Sequence, residues 1–182
     1  MNIFAICGSL RKESFNRKTL QAAVELAPKS MTIDIYDRLG EIPPYNEDVH
    51  EKGNPPVVQD LRDRIKRADA LLFVTPEYNF SIPGVLKNAI DWASRPPEQP
   101  FNGKPAAIMG ASPSMLGTGR AQYHLRQMFV FLNIYPVNQP EVIITFAQQK
   151  FDADGKLTDE ATRKFMGQLL VNLEGWAKKV NA

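Results

Sequence analysis

The chain has 182 residues, 43% of them hydrophobic and 23% charged, with a formal net charge of +2. That length suits a single domain over 1–182, and the near-neutral balance of scattered charges is too small to argue for nucleic acid or a membrane surface. No 18-residue apolar run exists to cross a membrane, Cys7 stands alone so no disulfide can form within the chain, and no signal-peptide pattern opens it, so the expected location is cytoplasmic.

Ile3-Phe4-Ala5-Ile6-Cys7 is an apolar run and reads as a buried strand. A polar loop, 8–16, leads into a helix over 17–27 with Leu20, Ala23, Val24 and Ala27 at helical spacing, and Pro28 stops it. A second strand is predicted over 31–36. Residues 38–56 hold Gly40, Pro43, Pro44, Gly53, Pro55 and Pro56, too much punctuation for regular structure. A loop of that length in a compact domain is usually functional or part of an interface. The next helix, 57–67, puts Val57, Leu61, Ile65 and Ala68 on one face. Ala70-Leu71-Leu72-Phe73-Val74 is apolar throughout, as a central parallel strand should be.

A third helix is expected after Ser81 as N-cap, with Pro83 in its first turn and a stripe of Val85, Leu86, Ala89, Ile90 and Ala93. A strand over 106–109 leads to a small-residue loop, 110–119. The helix over 120–133 is apolar on more than one face: Leu125, Met128, Phe129 and Leu132, but also Tyr123, Val130 and Phe131. That surface calls for two partners, the sheet and a second subunit. A fifth strand is read over 142–146, and a last helix from about Thr158 with Phe165, Leu169, Leu173, Trp176 and Val180 inward. Five strands alternating with five helices predict an α/β, doubly wound five-stranded parallel sheet with helices on both faces. Ligands of such sheets bind beyond the carboxyl ends of the strands, where loops 8–16, 75–81 and 110–119 meet.

The first of these loops, Gly8-Ser9-Leu10-Arg11-Lys12-Glu13-Ser14-Phe15-Asn16, joins strand to helix. A helix N-terminus offers free N–H groups and partial positive charge to an anion. Ser9 and Ser14 add hydroxyls, Asn16 an amide donor or helix cap, and Arg11 a two-pronged phosphate grip. The loop lacks both the P-loop pattern and the dinucleotide glycines. It therefore suits a terminal monoester phosphate, as on flavin mononucleotide (FMN); the other reading is a solvated turn with a good cap. In the second loop, Pro76 fixes the chain ahead of successive N–H groups, and Tyr78 and Phe80 offer rings for stacking or for packing on the core. Neither His50 and His124 nor Asp152-Ala153-Asp154-Gly155 has metal-ligand spacing, and the latter reads as a turn. Gly117-Thr118-Gly119 lacks the third glycine of a dinucleotide site.

Gly8-Ser9-Leu10-Arg11-Lys12 with Ser14-Phe15-Asn16, and Thr75-Pro76-Glu77-Tyr78-Asn79 with Pro83-Gly84-Val85-Leu86-Lys87-Asn88-Ala89-Ile90-Asp91-Trp92, resemble the NAD(P)H-dependent FMN reductase family. This is the flavodoxin-like branch that includes quinone and chromate reductases. The likeness runs through Gln122-Tyr123-His124-Leu125-Arg126-Gln127 and covers nearly the whole chain. It implies that Ser9, Arg11, Ser14, Phe15 and Asn16 hold the FMN phosphate and ribityl chain. By the same likeness Pro76, Glu77, Tyr78 and Asn79 lie along the isoalloxazine ring, and Ser112 contacts it from the third loop. Glu13 stands where relatives often carry Gly, and a carboxylate beside a phosphate is unfavourable unless it points to solvent.

The implied activity is FMN-dependent oxidoreduction from NAD(P)H to a quinone, with chromate or free flavin as further acceptors by analogy, in a homodimer or homotetramer. No catalytic side chain is required, because the cofactor carries the chemistry. With no second nucleotide-binding pattern, both substrates must share one site, which predicts ping-pong hydride transfer with Tyr78, Asn79, Phe80 and Tyr45 lining it. The reading from a different class is a flavodoxin-type electron carrier, against which the lack of strong acidity counts.

Overall fold

The structure is a computed structural model and describes residues 1–182. Six strands, β1 (Asn2–Cys7), β2 (Thr32–Tyr36), β3 (Ala70–Val74), β4 (Pro105–Ala111), β5 (Tyr135–Pro136) and β6 (Val142–Ile144), pair in parallel throughout. The order is β2-β1-β3-β4-β5, with β6 also on β4. That is the flavodoxin-like order, and its switch point lies between β1 and β3. β3 is buried at every residue, as its unbroken apolar run requires.

The fifth position differs from the single strand expected over 142–146. β5 pairs with Pro105 and Ala106 at the start of β4, and β6 with Met109–Ala111 at its end. Two short strands therefore share one place in the sheet, and the second stops before Phe146, whose left-handed φ of 46° cannot continue it.

Six helices surround the sheet: α1 (Phe15–Leu26), α2 (Glu47–His50), α3 (Pro56–Arg67), α4 (Gly84–Ala93), α5 (Gly119–Leu132) and α6 (Glu160–Val180). One apolar core lies between the sheet and α3, α4 and α5, and a second lies under α1 and α6. Residues 38–56 hold a short 3₁₀ turn, Leu39–Glu41, and the one-turn α2.

Three local readings change. α1 begins two residues early, because Ser14 Oγ accepts from the Asn16 N–H at 3.1 Å and caps it. Ser81 does not cap α4: Pro83 occupies that position, and Ser81 closes a tight turn with Tyr78. The buried face of α6 is Met166, Leu169, Leu170, Leu173 and Ala177, while Phe165 and Trp176 are largely exposed. Both stripes share Leu169 and Leu173, so spacing alone fits either. Trp176 instead donates its indole N–H to the Tyr135 carbonyl at the sheet edge.

α3 buries its predicted apolar face and also Arg62, only 6% exposed. Its guanidinium donates to the carbonyls of Ala93, Arg95 and Glu98, tying down the end of α4 and the Pro-rich connection after it. Burial lowers its pKa, with Glu98 and Asp63 opposing. The long loop is fastened the same way: Trp92 Nε1 and Asn88 Nδ2 both donate to the Pro43 carbonyl at 2.8 Å.

Candidate active site

At the carboxyl end of the sheet the ladder continues one residue past β1, with the Gly8 N–H on the Val74 carbonyl at 2.8 Å. This draws Gly8 so close to β3 that a Cβ would meet Thr75 Oγ1 at 3.1 Å and Leu86 at 3.2 Å. Gly110, on β4, is tighter still, since a Cβ there would overlap the Thr118 hydroxyl and the Thr75 carbonyl. Glycine at these two points lets three loops converge over the strand ends.

Between them lies a small cavity of about 120 Å³. Nine of the ten predicted residues line it: Ser9, Arg11, Ser14, Phe15, Asn16, Pro76, Glu77, Tyr78 and Ser112. The tenth, Asn79, lines an adjoining cavity of about 480 Å³ with Phe80, Ser114 and Gly117. The two spaces share Glu77 and Ser112. Together they have the size of an ordinary small-molecule site.

The side of the cavity formed by the 9–16 loop has the donors that an anion needs. Ser9 and Ser14 are buried, at 3% and 5% exposure, yet both face the cavity, and the Ser9 hydroxyl makes no hydrogen bond within the chain. Arg11 is exposed and takes part in no ion pair. The N-terminus of α1 opens at Ser14–Asn16, where its dipole favours negative charge. Glu13 turns outward: its side chain is 76% exposed and sits 3.4 Å from Lys18 Nζ. The carboxylate is therefore outside the cradle, and these residues fit a phosphate monoester.

Asn16 lines the cavity and also makes a long-range contact. Its Nδ2 donates to the Ala111 carbonyl at 2.8 Å, and its Oδ1 accepts the Ala111 N–H at 2.9 Å. Both ends of the carboxamide are thus spent on the backbone at the end of β4, and neither caps α1. The side chain clamps the first wall of the cavity to the third. Phe15 lines the cavity while its ring lies 5.7 Å from that of Phe151.

The side of the cavity formed by residues 76–81 is built on a strained turn. Tyr78 and Ser81 exchange both backbone hydrogen bonds, forcing Asn79 and Phe80 into left-handed conformation at φ 52° and 61°. Asparagine tolerates this and phenylalanine does not, so Phe80 must be held from outside. The Arg120 guanidinium lies 3.8 Å from its ring centroid. Ser81 Oγ lies 3.0 Å from His124 Nδ1. Glu77 Oε2 accepts the Ala121 N–H at 2.9 Å, which puts its charge on the positive end of α5. Three residues from α5's opening turns, Arg120, Ala121 and His124, therefore carry the loop, a role the sequence reading gave to none of them.

The third loop is anchored by its backbone: the Ser112 N–H donates to Ile144 O, and the Ala147 N–H to Ser112 O. Tyr45 lies outside both cavities of its own chain. Its ring packs edge-on against Trp92 at 4.9 Å, and its N–H donates to Asn88 Oδ1. Cys7 is 7% exposed, and burial pushes its thiol pKa up, so it behaves as a small apolar residue.

No group of three or more His, Cys, Asp or Glu side chains is placed to hold a metal, and no helix is long and apolar enough to cross a membrane.

Comparison with known proteins bears on this site. A protein from Pseudomonas aeruginosa named NAD(P)H-dependent FMN reductase is 56% identical over 180 residues, covering 99% of this chain and 97% of its own. NAD(P)H:quinone oxidoreductase of Solanum tuberosum is 46% identical, covering 99% and 94%. Among solved structures, the flavoenzyme NAD(P)H:(acceptor) oxidoreductase FerB from Paracoccus denitrificans superposes with a TM-score of 0.89 at 37% identity, covering 98% and 97%. The sequence profile described as NADPH-dependent FMN reductase matches residues 1–149, which contain every cavity residue named above, and the chain belongs to that family.

Proposed function

We propose that the chain is an FMN-dependent oxidoreductase that takes electrons from NAD(P)H and reduces quinones. The observation that carries this is the meeting of Ser9, Arg11 and Ser14 with the 76–79 segment and Ser112 around one cavity at the carboxyl ends of β1, β3 and β4. FMN, when bound, supplies the two-electron chemistry between nicotinamide and acceptor. The residues supply the rest. Arg11 and the two serine hydroxyls neutralise and orient a phosphate at the mouth of α1. The 76–79 backbone, rigid through Pro76 and the Tyr78–Ser81 turn, positions the ring. Tyr78 and Phe80, 53% and 60% exposed, present faces against which flat substrates stack.

The overall reaction, NAD(P)H + H⁺ + quinone → NAD(P)⁺ + hydroquinone, balances with one proton taken from water at this open site. The chain offers one ring-side cavity for both substrates, so the oxidised nicotinamide leaves before the quinone enters. Double-reciprocal plots against NAD(P)H at several quinone concentrations are expected to be parallel. Intersecting lines would mean that both substrates bind together, and the shared-cavity mechanism would be wrong. A purified protein that carries no FMN after reconstitution would remove the reading altogether.

The working form in this reading is a homodimer or homotetramer in the cytoplasm. Supporting the assembly, the outer face of α5 exposes Val130 at 83%, Phe131 at 84% and Tyr123 at 60%. Side chains of this size in one row on a helix need a cover, and a second copy supplies an identical one. Light scattering at micromolar concentration should return a multiple of the 20.5 kDa chain mass.

A further inference from the structure

A second, roomier cavity lies beside the one described above. It measures about 730 Å³ and lies at the carboxyl ends of β1 and β2, on the far side of the 9–13 loop from the phosphate cradle. Ser9 lines both spaces, so they are neighbours through one residue. Its size is that of an ordinary small-molecule site, and nothing in the proposed reaction uses it.

Its walls are of three kinds. Leu10, Leu20 and Ile35 provide apolar surface. Gln21 adds a carboxamide that makes no hydrogen bond within the chain, free to meet the edge of a flat base. Asp37, the first residue after β2, is exposed and in no ion pair. A carboxylate at the end of the second strand of a doubly wound sheet is suitably placed to accept from a ribose hydroxyl.

The charges around the cavity divide unevenly once pairs are removed. Glu13 is taken by Lys18 at 3.4 Å and Glu25 by Arg163 at 4.0 Å. That leaves Lys12, Arg17 and Lys156 against Asp37 and Asp154. Three cations against two carboxylates, one of them suited to a sugar, favour a phosphorylated ligand. Arg17 is further held by its Nε on the Ser9 carbonyl at 3.4 Å.

We propose that this second cavity binds the adenosine monophosphate moiety of a nucleotide. The base lies against Leu10, Leu20 and Ile35 with its edge on Gln21, the ribose on Asp37, and the phosphate toward Lys12 and Arg17. The moiety reaches the cavity either as the adenylate end of NAD(P)H or as a free adenine nucleotide. The proposal rests on the reading above only in that FMN fills the neighbouring cradle.

The test uses FMN-loaded full-length protein titrated with 5′-AMP in a calorimeter, with flavin fluorescence reporting separately whether FMN stays bound. Saturable binding is expected, weakened at least tenfold by Asp37→Ala and by Lys12→Ala, and unchanged by Lys179→Ala on the far end of α6. Preference for AMP over 2′-deoxy-AMP should vanish in Asp37→Ala, a change that a merely structural role would not produce. Competition between AMP and NAD(P)H in steady-state kinetics would identify the donor as the source. Binding without competition would identify a free nucleotide, and either result supports the site. No saturable binding at millimolar AMP, release of FMN by AMP, or binding indifferent to both variants would overturn it. Loss of FMN before any AMP is added would instead count against the flavin reading.

Discussion

Replacing Asn16 by Ala should damage the protein before any flavin is added. In the folded chain its carboxamide satisfies both backbone groups of Ala111, a residue that is 2% exposed. Truncation leaves a buried N–H and a buried C=O without partners, each worth about 1–3 kcal/mol. Relief from burying the amide offsets part of this, so a net loss of about 3 kcal/mol is expected. For a chain of this size that corresponds to a fall of about 6–12 °C in Tm. The assay is scanning calorimetry of the flavin-free protein alongside FMN titration by fluorescence quenching. Both stability and FMN affinity should fall, because the clamp aligns the first and third walls of the cavity. If the flavin-free Tm is unchanged and only FMN affinity drops, Asn16 acts by touching the cofactor, and the clamp is wrong.

Arg11→Ala should do the reverse, weakening FMN by about 1.5–3 kcal/mol while leaving the flavin-free Tm alone; equal FMN affinity in both proteins would refute it. Arg62→Ala should destabilise the chain by about 3 kcal/mol, read by urea unfolding, since three carbonyls lose their donor; a loss below about 0.5 kcal/mol would show that water replaces the guanidinium. Stability should also fall steeply between pH 10 and 12. Burial and the nearby Asp60 carboxylate push the Tyr36 phenol from 10.0 up to about 12, while Arg38 and Arg64 pull the other way. The unfolded chain loses this proton first, so about 2–3 kcal/mol present below pH 10 is lost as pH rises through the folded value. Tyr36→Phe should flatten that limb of a pH-dependent unfolding series, and an unchanged slope would assign it to other groups.

What was legible in the sequence was local. The apolar runs of β1 and β3, the breakers around them and the serine-rich loop each state their role within about ten residues. What was hidden depends on partners far along the chain. Asn16 sits in the first turn of a helix, where a carboxamide reads as a donor or cap, but its partner is 95 residues away. Arg62 lies on a charge-rich helix, where one more arginine reads as solvated, and its acceptors belong to α4 and the segment beyond it. Tyr45 belongs to a loop that composition marks only as irregular, and the fold reveals Asn88 and Trp92 beneath it. The face of α6 was misjudged because two helical stripes share residues, and bulk favoured the exposed one. Glu77 lines the cavity, but its bond to α5 needed the third dimension.

The divided fifth position of the sheet bears on how the protein is made. Every residue lining the two flavin-side cavities has been synthesised by Gly117. The wall they form nevertheless hangs on Ile144, Phe146 and Ala147, whose backbones hold Ser112 and Ser114 in place. A growing chain therefore owns all its ligand contacts some thirty residues before it owns the pocket. The third wall is therefore complete only once β6 pairs with the tip of β4, which ties the shape of the pocket to closure of the sheet.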